Sequence, residues 1–94
     1  MNHIQASVAA LNELINELKS AKTIFERSAL FAAIRVLVDD LQKEDLNDYA
    51  KEKLSEIRWH SAAALGFDET NGHKSLQHRA WALGALSSLE SQID

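Results

Sequence analysis

Residues 58–81 read RWHSAAALGFDETNGHKSLQHRAW, and the parsing of this stretch decides the fold. An alanine- and leucine-rich run ends at Gly66-Phe67, and an Asn71-Gly72 step follows a few residues later. A glycine followed by an apolar residue marks a helix that stops in a left-handed cap, with the apolar side chain making the closing contact. Asn-Gly marks a turn, because both residues tolerate positive φ. The stretch is therefore expected to be a helix, a polar loop centred near Glu69, and a second helix. In such a hairpin, positions equidistant from the centre face each other. Residue 60 then meets residue 78, and residues 58 or 59 meet 79 to 81.

Working outward, the helix before the loop runs over about 46–65. It is expected to bury Leu46, Ala50, Leu54, Ile57 and the Ala62–Leu65 end, with Asp45-Leu46-Asn47-Asp48 supplying its N-terminal cap. The helix after the loop covers about 73–92 and carries Leu76, Ala80, Leu83, Leu86, Leu89 and Ile93 as its apolar set. Gly84 costs that helix about 1 kcal/mol relative to alanine, which a close helix–helix contact would justify.

Towards the N-terminus, Ile4, Val8, Leu11, Ile15 and Leu18 alternate in steps of four and three, a heptad-like seam on a helix over about 2–20. Asn12, Glu13, Asn16, Glu17 and Lys19 take its outer face. A second helix, over about 23–42, is announced by Thr23-Ile24-Phe25-Glu26, a hydroxyl followed three residues later by a carboxylate. Separate helices and one bent helix both suit the junction between them. The second helix is apolar nearly all round, its polar stripe reduced to Ser28, Arg35 and Gln42 with Asp39 beside it, so it is expected to be the most buried. The fold class is all-α: a single domain over 1–94, a small antiparallel bundle of three or four helices whose generous apolar surface predicts self-association as a homodimer or a partner-bound bundle.

Composition narrows the function classes. Apolar residues make up 46% and charged residues 26%, ordinary for a folded domain, and the net charge of −4 argues against a general nucleic-acid-coating protein. The acid is concentrated: residues 39–56 hold seven acidic and three basic side chains. The chain has no cysteine, hence no disulfide and no thiolate zinc site, and it suits a reducing cytoplasm. No signal peptide and no membrane span is visible, so a complete cytoplasmic product is expected, of the kind found among small phage, plasmid or bacterial accessory proteins.

Both tryptophans and three of the four histidines fall within residues 58–81. Trp59 sits off the Leu54–Ile57 stripe and Trp81 off the Leu76–Leu83–Leu86 stripe, which leaves each half-buried in the helix seam or open to a partner. Trp and Arg dominate interface hot spots, and histidine adds a polar contact sensitive to pH. Arg58, Trp59, His60, His78, Arg79 and Trp81 are therefore the expected partner-binding residues. A metal site from His60, His73 and His78 with Asp68 or Glu69 is the weaker reading, since His73 and His78 lie on different helix faces and no zinc-binding spacing occurs. They read instead as surface or boundary histidines. No phosphate loop, dinucleotide fingerprint or nucleophile elbow is present, and Asp39, Asp40, Glu44 and Asp45 read as a solvated helix end. Arg35, within the most apolar helix, is expected to pair with Asp39 or with an acidic partner. The expected function is thus a non-enzymatic protein–protein interaction module without cofactor or metal: a small regulator, adaptor or inhibitor of a larger protein. The alternative is single-stranded nucleic-acid binding by the 58–81 hairpin, with indoles stacking on unpaired bases.

Overall fold

Four helices account for the fold: α1 His3–Asn16, α2 Ile24–Gln42, α3 Asp48–Leu65 and α4 Ser75–Glu90, with a 3-10 turn Glu17–Ser20 closing α1. A computed structural model describes residues 2–93, and no strand occurs among them. Three of the helices start on side-chain caps. Asn2 and Gln5 form a capping box at α1, Thr23 and Glu26 form another at α2, and Asn47 Oδ1 accepts from Ala50 N at α3. Such caps satisfy amide groups that no preceding turn can reach. After the 3-10 turn the chain becomes extended at Ala21, so α1 and α2 are two helices.

The core is aliphatic. Leu11 and Ile15 of α1, Ile34, Val38 and Leu41 of α2, Leu54 and Ile57 of α3, and Leu86 and Leu89 of α4 are all essentially inaccessible to water. The radius of gyration, 12.5 Å, is close to the roughly 12 Å expected of a compact chain this long. No helix among the described residues is long and apolar enough to cross a membrane.

Two expectations about burial are corrected. Far from being the most buried helix, α2 buries only Ile34, Val38 and Leu41, whereas α3 buries seven residues. Its polar groups Asp39 and Gln42 turn towards α3, where Asp39 meets Arg58 and Gln42 donates to the Lys51 carbonyl. Phe25 and Val36 face solvent instead, 82% and 56% exposed. A helix that is apolar all round offers several equivalent faces to the core, and packing against α3 selected one of them. On α4 the buried face is His78, Ala82, Ala85, Leu86 and Leu89, while Leu76 and Ala80 are exposed and Leu83 is half-buried. The true stripe contains a histidine, which a search for apolar periodicity passes over. Gly84 has no close helix contact either, for a methyl group built on it would meet nothing within 4 Å.

Candidate functional site

The α3–α4 pairing builds the site, and the connecting loop fixes it. Gly66 adopts φ +87°, and the amides of Gly66 and Phe67 bond back to the Ala63 and Ala62 carbonyls, ending α3 in a Schellman cap. The ring of Phe67 then lies 5.7 Å from that of Phe31 on α2. Asn71 and Gly72 both take positive φ and form a tight turn closed by His73 N bonding to the Thr70 carbonyl. Across the helices, the Ser75 hydroxyl reaches the Ala64 carbonyl, His60 meets His78, and Asn47 meets Gln92.

At the centre stand two histidines in one hydrogen-bonded chain. His60 Nδ1 lies 2.9 Å from His78 Nδ1, and His78 Nε2 lies 2.7 Å from the Thr70 carbonyl oxygen. A carbonyl only accepts, so His78 Nε2 carries a hydrogen and donates it. In the neutral ring His78 Nδ1 is then bare, and it accepts from the N–H at His60 Nδ1. Two rings that both carried a hydrogen there would turn N–H against N–H across 2.9 Å, so the hydrogen bond requires a bare nitrogen on one of them. Burial, and after it the neighbouring His78, holds His60 below the ordinary histidine pKa, with Glu56 acting in the opposite sense. His78 is fully buried. The reading of these residues as surface or boundary histidines is therefore corrected for His78: the Thr70 carbonyl and His60 satisfy both its nitrogens, which removes the main cost of its burial.

Both indoles pack on this pair. Trp59 lies 4.3 Å from His60 and 5.6 Å from His78, centroid to centroid, and Trp81 lies 5.3 Å from each. His73 stands edge-on to Trp81 at 4.8 Å. Trp59 and Trp81 nonetheless stay 36% and 37% exposed, and neither indole N–H bonds to an acceptor among the described residues. They wall an open cleft of about 470 Å³ together with His60, His73, Lys53 and Glu56, floored by small residues of α4 such as Ala80 and Gly84. Glu56 lies 2.8 Å from Lys53, so these two charges largely cancel.

Four of the six expected residues, Trp59, His60, His78 and Trp81, thus form one cluster. The two arginines do not join it. Arg58 points to α2 and pairs with Asp39 at 2.9 Å, which also leaves Arg35 without that partner. Arg79 crosses to the end of α1, donating to Asn16 Oδ1 at 3.0 Å. Hairpin symmetry fixes the position of both arginines along the axis but not the direction of a side chain around it. Glu56 and Gly84 were missed as cleft residues, although Glu56 stands one helical turn before His60. Among the described residues no three histidine, cysteine or acidic side chains converge as metal ligands. Comparison with protein-family models, with curated proteins and with solved structures gives no match to this chain.

Proposed function

We propose that this chain is a non-enzymatic protein–protein interaction module, a small regulator, adaptor or inhibitor, that receives a partner protein in the α3–α4 cleft. The observation that carries the reading is the pair of half-exposed indoles held on a rigid histidine pair at the cleft walls. Here the Thr70 carbonyl orients His78, His78 orients His60, and the two rings back both indoles. Preorganised aromatic surface loses little conformational entropy on binding, which is why Trp anchors are strong at interfaces.

The charges favour a protein over a nucleic acid. Stacking of unpaired bases would suit the indoles, but phosphates also need free cations. Arg58 and Arg79 are engaged elsewhere, and Lys53, the one lysine on the cleft wall, is tied to Glu56. The proposal includes self-association, for which the support lies on α2.

The test compares partner capture by the wild-type chain and by the W59A/W81A variant. Capture is expected to fall at least tenfold while helicity by circular dichroism is retained. Undiminished capture places the docking face elsewhere. Quenching of tryptophan fluorescence by an oligonucleotide, weakening steeply with added salt, would instead support the nucleic-acid reading.

A further inference from the structure

We propose that the outward face of α2 is a homodimer interface in which two copies of α2 cross antiparallel at Ala29 and Ala32. This deepens the self-association part of the proposal above and does not depend on the α3–α4 cleft.

Phe25, Ala29, Ala32 and Val36 follow one another at steps of four, three and four, and all four are exposed. That spacing makes a single stripe along an α-helix. Phe25 has the highest exposure among the exposed large hydrophobic side chains of the chain. Along the stripe the sizes run large, small, small, large, a palindrome. A twofold axis perpendicular to the helix, passing between residues 30 and 31, sets Phe25 on the partner's Val36 and Ala29 on the partner's Ala32. Each contact then occurs twice, as an isologous interface requires. Alanines at the crossing point let the backbones approach to the short end of the usual 8–10 Å interaxial range. The large residues fill the wedges where the helices diverge.

The surroundings obey the same symmetry. A shallow groove of about 280 Å³, lined by Ser28, Phe31, Ala32, Arg35 and Phe67, runs beside the stripe at the crossing point. Lys22, just before the helix, and Asp40, in its last turn, lie along the same edge of the stripe at opposite ends. The twofold operation brings each Lys22 beside the partner's Asp40, whose nearest cation in its own chain is Lys43 at 4.0 Å. Arg35 has no hydrogen-bond or ion-pair partner among the described residues, and on the other edge it reaches the partner's Ser28. A palindrome in size, with opposite charges at its two ends, is what a second copy of the same helix requires. An unrelated partner would place no such condition on the stripe.

Light scattering at tens of micromolar is expected to give twice the 10.5 kDa chain mass. The F25E variant should run as a monomer with unchanged helicity, because that ring is already outside the core. The chain has no cysteine, so an A29C/A32C variant oxidised in dilute solution should give a covalent dimer linked between positions 29 and 32. A monomeric wild-type protein overturns self-association altogether. A dimer that survives F25E, or links only like positions to each other, keeps self-association and overturns this interface. Should F25E lose helicity, the position of the A29C/A32C link decides.

Discussion

His78 organises the aromatic cluster between α3 and α4 from inside the core. It occupies a core position on α4 where a leucine would ordinarily stand, and it is tolerated because both ring nitrogens have partners. Through its tautomer it sets the orientation of His60, and through His60 the packing of both indoles. Gly84 has the opposite character, being exposed in mid-helix with open space above it. Its helix carries the entropic cost of glycine with no packing gain. Replacing Gly84 with alanine should therefore raise stability by about 1 kcal/mol, read from urea unfolding at an unchanged slope. Because Gly84 floors the cleft, the same variant should weaken partner capture although both tryptophan walls are intact. A stability gain with undiminished capture would remove the floor from the docking face.

At the scale of the element, the capping signals in the sequence were reliable because they are local. Thr23 and Glu26 satisfy each other's backbone amides three residues apart, and no distant part of the chain is needed. Thr23→Ala should cost about 1 kcal/mol, visible as a lower urea midpoint. In the other arm of the box the Thr23 amide donates to the Glu26 carboxylate and holds that carboxyl below its ordinary range, so this second hydrogen bond is present at neutral pH and weakens as acid protonates the group. The apolar stripes were less legible. On α1 the seam of Val8, Leu11, Ile15 and Leu18 is buried as its spacing predicts. On α2 no stripe stands out, since apolar side chains surround the helix. Periodicity then gives no preferred direction, and the packing of α3 made the choice.

For the whole molecule, His60 gives folding a pH dependence of definite sign. The native state holds His60 below its ordinary value of 6.5, whereas the unfolded chain takes up its proton near that value. Below it the unfolded state binds more protons, so stability falls as the pH drops through 6.5 and is fully present above. Thermal melts across this range should show the decline, and His60→Gln, which retains an N–H donor, should flatten it. An identical pH profile in that variant would assign the decline to another group. The cleft and the α2 face lie on different helices, so the proposed docking and the proposed pairing with a second copy use separate surfaces.

The sequence by itself determined the all-α class, four helix positions to within a few residues, three of the caps, and the approach of residue 60 to residue 78. Each follows from local backbone chemistry or from the length of one loop. The tertiary structure alone decided which face of α2 met the core, which stripe of α4 was buried, and where Arg58 and Arg79 pointed. These are rotations about a helix axis, and a rotation is fixed by what packs against the helix. The sequence could place two tryptophans near two histidines, but only the fold could show His78 sealed inside, anchored to the Thr70 carbonyl, with both indoles left half open on the pair it orders.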